Sequence, residues 1–397
     1  MKIESYRLNI WKIYIFSFLT SLHFFGAVLV PFFTDWGKIS FTQIMILQSW
    51  FMFWIFALEI PTGAVADYLG RKWSIILGAL ATIVAVLVYT SSPNFYIFLL
   101  GEFIWAISAA LFSGADEALV YDTLKEAGKE NLSKKIFGIK NTIHLTGIML
   151  ASMAGGFIAS KFGLKATMTA VIIPTIFALI IGLSIKEPKI TSEKQIKKEK
   201  NYLKVIKDGL KYFKNHKVLK IITFDFLIIE VIGYLMIWLF QPMLIRAGLS
   251  LTYFGLVHAA FLLSQILIIN NYTRFEKLLK SKKKIILLSA LIPGILYIIG
   301  GLTNVLVITI AVIVIGGGIA LSAKTLRTSY LNKHIESEKR ATVLSTVSMI
   351  LRIAIAIVNP IVGFLANWSL MWTLVILGFT AIISIAFHRI EEKHLID

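Results

Sequence analysis

Stretches of roughly twenty residues, apolar and almost uncharged, recur twelve times along the chain. They lie near 11–33, 41–62, 73–91, 94–115, 137–160, 166–185, 218–243, 252–271, 284–301, 304–324, 341–366 and 369–388. About 20 apolar residues is the length of helix that crosses a bilayer. The apolar residues run continuously rather than as the stripe of a half-buried soluble helix. Composition agrees: 57% of residues are hydrophobic and 16% charged, against about 45–50% and 25% in soluble domains. The expected fold class is an all-α integral membrane protein, with twelve transmembrane helices in two six-helix bundles. The first run is too long for a signal peptide and lacks a small-residue cleavage site, so it reads as the first span. With no cysteine in the chain, a disulfide framework, cysteine metal sites and a thiol nucleophile are excluded.

The net charge of +18 follows the loops. With the N-terminus cytoplasmic, the outer loops hold only Lys38, Lys161, Lys165 and Arg246. The other basic residues fall in inner segments or at their membrane boundaries, with Arg352 the exception. That is the positive-inside pattern of a multi-pass cell-membrane protein. An even number of spans returns the C-terminus to the cytoplasm. The basic surplus is therefore a topology signal, and no nucleic-acid partner is expected.

Three regions follow: an N-terminal bundle over 1–185, a basic cytoplasmic linker over 186–217 and a C-terminal bundle over 218–397. In the linker Leu203, Ile206, Leu210 and Phe213 recur at helical spacing among many lysines. Part of it is expected to lie as an amphipathic helix on the anionic inner leaflet. "GGFIA" at Gly155–Ala159 and "VGFLA" at Val362–Ala366 stand 207 residues apart, near the ends of spans five and eleven. Internal repeats of this kind build secondary transporters, whose binding sites lie near the bilayer midplane.

One polar turn interrupts the apolar runs, "EIPTGAVADYLGRKWS" at Glu59–Ser74. It is not a phosphate loop: six residues separate Gly63 from Gly70, Trp73 follows Lys72, and the flanks are membrane helices. Pro61 and Gly63 are expected to end span two, and Gly70 to permit the reversal into span three. Arg71 and Lys72 hold the loop inside, and Asp67 can pair with Arg71 at i,i+4. Likewise Gly316–Gly318 in span ten sits inside an apolar helix and suits close packing or bending.

At these residues the sequence resembles the major facilitator superfamily, closest in character to its 12-span drug/proton antiporters. "GAVADYLGRK" is similar to that family's loop signature between spans two and three, with Tyr68 replacing the usual basic residue. The resemblance implies alternating access, with this loop a cytoplasmic gate formed by Gly63, Asp67, Gly70, Arg71 and Lys72. It implies that Asp67 meets the start of span eleven, around Arg340 and Ala341. It also implies that Arg71 meets an acid ending span four, Asp116 or Glu117. The resemblance to the antiporters is incomplete, because Glu102 stands where their span four carries an arginine.

Ionisable groups inside spans are costly and mark function. Glu102 lies deep in span four, Glu230 in span seven and Arg352 in span eleven, with Glu59 and Asp225 nearer the inner face. The resemblance places all five on spans that line the central cavity. A carboxylate stripped of water can take up or release a proton as its surroundings open and close. Arg352 can serve as counter-charge to either deep acid or clamp an anionic substrate. His144 on span five, near Lys140, is a further candidate for a proton path, and Trp105 a candidate aromatic contact.

These residues point to a secondary active transporter, with proton-coupled efflux of a small amphipathic or cationic compound as the leading reading. Uptake or exchange of an anionic metabolite anchored by Arg352 stays open, as does a non-transporting receptor on the same fold. No nucleophile–base pair or metal cluster is visible, so no catalytic residue, metal or cofactor is expected. The expected driving force is a proton gradient. The expected partners are a small-molecule substrate and the bilayer, with the chain a monomer.

Overall fold

Lipid offers no hydrogen bonds to backbone groups, so each apolar run must satisfy its own N–H and C=O groups as helix. The computed structural model describes residues 3–188, 202–336 and 339–395, and every regular element among them is helical. Among the described residues eleven helices, spans two to twelve, are long and apolar enough to cross a membrane.

The first helix, Ile3–Thr20, is not one of them, because its 18 residues include Glu4, Arg7 and Lys12. The expected first span at 11–33 is corrected: the chain turns after Thr20 and becomes helical again only at Leu29–Pro31 and the π-helical turn Phe32–Trp36. The hydroxyls of Thr20 and Ser21 donate to the carbonyls of Phe16 (2.9 Å) and Phe18 (2.7 Å). Such local bonds compete with continuation of the helix.

Span two also departs from expectation. It runs Phe41–Leu69 with Pro61 inside it, since the backbone group a proline orphans can be satisfied locally in a membrane helix. The reversal falls on Gly70 alone, at φ +101°. A side chain there would be strained, and its Cβ would meet the Glu187 carboxyl group at 2.9–3.1 Å.

The chain falls into two compact units. One comprises Met1–Ile39, Leu47–Lys200 and Leu251–Gly255; the other comprises Ser40–Ile46, Asn201–Ser250 and Leu256–Asp397. The same two anchors recur in each. In the first unit Asn9 accepts from the Lys186 N–H at 2.8 Å and donates to the Lys186 carbonyl at 3.1 Å. Next to it, Glu187 accepts from the N–H groups of Arg71 (2.8 Å) and Lys72 (2.7 Å), which open span three. In the second unit Asp225 accepts from the N–H groups of Arg389 and Ile390, both at 2.7 Å. Glu392 accepts from the Ser281 hydroxyl and from the N–H groups of Lys282 (3.3 Å) and Lys283 (3.1 Å), which open span nine. Both carboxylates satisfy orphan N–H groups and sit at the positive end of a helix dipole. Equivalent bonds at equivalent places are stronger evidence of an internal repeat than the two short sequence matches.

The two caps respond differently to acid. Burial raises the Glu187 carboxyl above the usual carboxylate range, against the lowering by the two N–H bonds and the Arg71 charge. Glu392 is mostly exposed. Burial raises it slightly, but its bonds to Ser281, Lys283 and Lys282 outweigh this and leave it below that range. As pH falls, Glu187 should therefore lose its charge first. Hydrogen exchange corrected for intrinsic rates should show the Arg71 and Lys72 amides losing protection at a higher pH than those of Lys282 and Lys283. The reverse order would contradict this assignment.

The linker helix, Tyr202–Asn215, packs in the second unit against span eleven. A Cβ on Gly209 would meet Thr346 Oγ1 at 2.6 Å and Thr342 Cγ2 at 2.8 Å. Phe213 joins the core formed by Leu219, Ile222 and Val343, and Lys339 lies 4.9 Å over the Tyr212 ring. This face of the helix, expected to rest on lipid, is covered by protein, while Leu210 stays exposed. The side chains of Leu203 and Ile206, and the linker lysines from Lys189 to Lys200, lie outside the described residues.

Candidate functional site

Span four starts on an Asn94 cap, whose side chain accepts from the Tyr96 N–H at 2.8 Å. The helix carries Glu102 into the first unit, where it is 5% exposed. Gln48 of span two donates to Glu102 Oε1 at 2.8 Å, and the Tyr89 hydroxyl of span three makes a second hydrogen bond. Gly101 makes room for this arrangement, since a Cβ there would press on the Tyr89 ring at 3.1 Å. Among the described residues no cation lies within ion-pair distance of Glu102, so both of these partners are neutral. Trp105, on the same face one turn on, packs against His23 and Phe25, each at 5.5 Å, and against Tyr89 at 6.3 Å. The result is a buried acid that neutral donors orient and that no fixed charge among the described residues compensates.

A cavity of about 180 Å³ in the same unit is lined by His23, Trp105, Ser108, Asp116, Lys140 and His144, among others. Asp116 pairs there with Lys140. For Asp116, one of the two acids expected to meet Arg71 (the other being Glu117), the partner is therefore Lys140. Lys140 stands on span five and projects across to Asp116, while Arg71, at the start of span three, bonds Asp67 near the end of span two at 3.2 Å. His144 lies beside the Asp116–Lys140 pair and is hydrogen-bonded to the Ser17 backbone. Glu117 is exposed, and Gly63 lies half-buried within span two. Lys72 donates from Nζ to the Leu183 carbonyl at 2.8 Å, which ties the loop to the end of span six. Glu59 is half-buried on span two.

In the second unit Glu230 and Arg327 form a buried two-point pair. Arg327 Nε donates to Oε1 and Nη2 to Oε2 at 3.1 Å. Their side chains are 3% and 4% exposed. Arg327 thus takes the counter-charge role for which Arg352 was a candidate. Arg352 is half-buried on span eleven. Together with Glu230 and Arg327 it acts electrostatically on Lys324 of span ten. Asp225, a candidate for proton or substrate binding, holds the backbone after span twelve instead.

Lys324 and Arg327 do not stand out in the sequence, because the apolar run of span ten fades near 324 and they read as its inner basic border. The helix continues to Lys333, and their i,i+3 spacing, which puts both on neighbouring faces, was the available signal. Just before them span ten widens into a π-helical turn, Val312–Gly317, a feature frequent at functional sites. Gly317 permits this by lying where a Cβ would meet Phe261 at 2.6 Å and Met236 at 2.9 Å.

Membrane-length helices and charged groups buried among them describe a polytopic membrane protein. The family model of the Major Facilitator Superfamily matches residues 11–321, and the chain belongs to that family. Its eleven membrane-length helices among the described residues make it a multi-pass membrane protein, and transporters of the family bind small molecules. Among curated proteins it is 26% identical over 222 residues to an uncharacterized MFS-type transporter, YxaM, of Bacillus subtilis (strain 168). That match takes in 55% of this chain and 54% of the relative, so the chain spans about half the length of the curated relative it matches.

Among solved structures, the nucleoside transporter NupG superposes with TM-score 0.78 at 14% identity, covering 96% of this chain and 98% of that one. A bacterial homolog of the human lysosomal transporter Spinster gives 0.75 at 16%, covering 100% and 98%. A D-xylose-proton symporter gives 0.73 at 14%, covering 99% of each. At these identities the likeness is one of fold.

Proposed function

We propose that the chain is a secondary active transporter that couples the movement of a small molecule to that of a proton carried by Glu102. The observation behind this reading is the buried Glu102 carboxyl group, held by Gln48 and Tyr89 with no cation beside it among the described residues. An ionised carboxylate in that setting carries a large desolvation cost, which a proton removes and an opening to water relieves. Alternating exposure then makes loading and unloading of the proton part of the transport cycle. One of the structural neighbours is a D-xylose-proton symporter, which is consistent with coupling on this fold. The distribution of Lys and Arg supports a cell-membrane location with both termini cytoplasmic.

The test is solute-induced proton flux. Vesicles holding the full chain and an internal pH dye are challenged with uridine, xylose, hexanoate and tetraphenylphosphonium, under gradients of either direction. At least one of these probes should change the internal pH in wild-type vesicles and not in empty ones. The sign of that change separates efflux by exchange from uptake with the proton. Solute flux without any pH change would overturn the reading.

A further inference from the structure

We propose that the second unit carries a binding site for a phosphate group, built by Lys217, Lys283, Arg389 and the buried His388. These side chains line a cleft of about 670 Å³, formed by the start of span seven, the start of span nine and the segment after span twelve. Such a volume is that of a small-ligand site, about 300–1,000 Å³. Glu391 is the one acid in the lining, and Lys393 already pairs with it at 2.6 Å. Among the described residues no ion pair holds the side chains of Lys217, Lys283 or Arg389.

The neighbouring acids are occupied with backbone. Asp225 Oδ2 accepts from the N–H groups of Arg389 and Ile390, both at 2.7 Å, and Glu392 caps span nine through those of Lys282 and Lys283. These bonds fix two walls of the cleft while its cationic side chains stay unpaired. Lys217 and Lys283 stand in the first turns of their helices, where the dipole disfavours a cation and favours an anion. His388 is an independent sign. Its side chain is 4% exposed and lines the cleft, and neither ring nitrogen has a hydrogen-bond partner among the described residues. The nearest carboxylate oxygen, Asp225 Oδ2, stands 4.0 Å from Nδ1, beyond hydrogen-bond reach. A buried polar group without a partner is costly, and a phosphate oxygen accepting from the ring N–H relieves that cost. Arg389 adds a planar fork suited to phosphate, and the lysines compact point charges.

The position favours a lipid headgroup as the source. His388 directly follows the last span, and Phe387 beside it is exposed. Basic pockets at the ends of transmembrane helices take anionic headgroups. The test is thermal melting of the purified full chain in an uncharged detergent at fixed ionic strength. Cardiolipin and phosphatidylglycerol are titrated against phosphatidylcholine, and inorganic pyrophosphate against sodium chloride. At least one of these anionic phosphate probes should stabilise the protein more than its control. A response to lipid alone points to a headgroup, and a response to pyrophosphate to a soluble phosphate. Lys283→Gln, Arg389→Gln and His388→Leu should each weaken that probe's apparent affinity by about tenfold or more, the usual weight of a bond to a charged group. Arg389→Lys should keep most of it.

Without any probe, Lys283→Gln and Arg389→Gln should melt close to wild type, since neither side chain has an ion pair to lose. The proposal is overturned if no anionic phosphate probe outperforms its control, or if Lys283→Gln and Arg389→Gln bind the probe as wild type does. It is equally overturned if Lys134→Gln and Lys135→Gln, at exposed positions of the first unit, weaken binding as much. The attraction would then belong to surface charge at large and not to the cleft.

Discussion

Replacing Arg327 with alanine should lower the unfolding free energy by about 3–5 kcal/mol, the largest stability loss expected of any single charge in the second unit. The reason is what it leaves behind. Glu230 is 3% exposed at its side chain and accepts two bonds from Arg327. With the guanidinium gone it becomes an uncompensated charge away from water. Removing both members should cost much less: a Glu230→Leu, Arg327→Met double variant exchanges a buried ion pair for apolar packing, which is often neutral. Thermal unfolding of the two single variants and the double variant in detergent forms a cycle that isolates the pair. A double-variant loss equal to the sum of the two single losses would show that the pair is not a unit.

Replacing Glu102 with glutamine should abolish accumulation of solute against its gradient and leave exchange at equal concentrations running. Glutamine keeps the shape and can still bond Gln48 and Tyr89, so the helices around it should pack as before. It cannot release or take up a proton in the working range. Loss of both activities would assign Glu102 to solute binding or folding. Retention of both would remove it from the cycle. The distinction is available because the partners of Glu102 among the described residues are neutral, whereas Glu230→Gln would also strand Arg327.

The sequence showed the spans plainly, because lipid imposes apolar runs of fixed length, but their ends were harder to place. Pro61 and Gly63 read as a terminus, yet span two continues to Leu69. A proline that ends a soluble helix is accommodated in a membrane one. The first run looked continuous at 11–33, but a polar Thr20–Ser21 step inside it bends the chain. Span ten looked finished at its first lysine, and that hid Lys324 and Arg327.

The depth of Glu102 and Glu230 was readable from helical rise alone, but their partners were not. Glu230 and Arg327 stand 97 residues apart in sequence, and no local pattern links them. Asp116 was one of the two acids assigned to Arg71 by family resemblance, whereas its partner here is Lys140. The repeated backbone anchors at Asn9 and Asp225, and the caps from Glu187 and Glu392, were legible only as scattered polar residues near span ends. Their roles depend on which backbone groups the fold leaves orphaned.

Infrared titration of the purified protein tests the role of Glu102 without knowledge of the substrate. A protonated carboxyl group gives a carbonyl stretching band that a carboxylate lacks, so the band reports the proton directly. With Glu102 as the proton carrier, wild type should show such a band that titrates with pH. It should vanish in Glu102→Gln and persist when Asp116 is changed to asparagine. A spectrum without a titrating carboxyl band, or a band unchanged by Glu102→Gln, would contradict it.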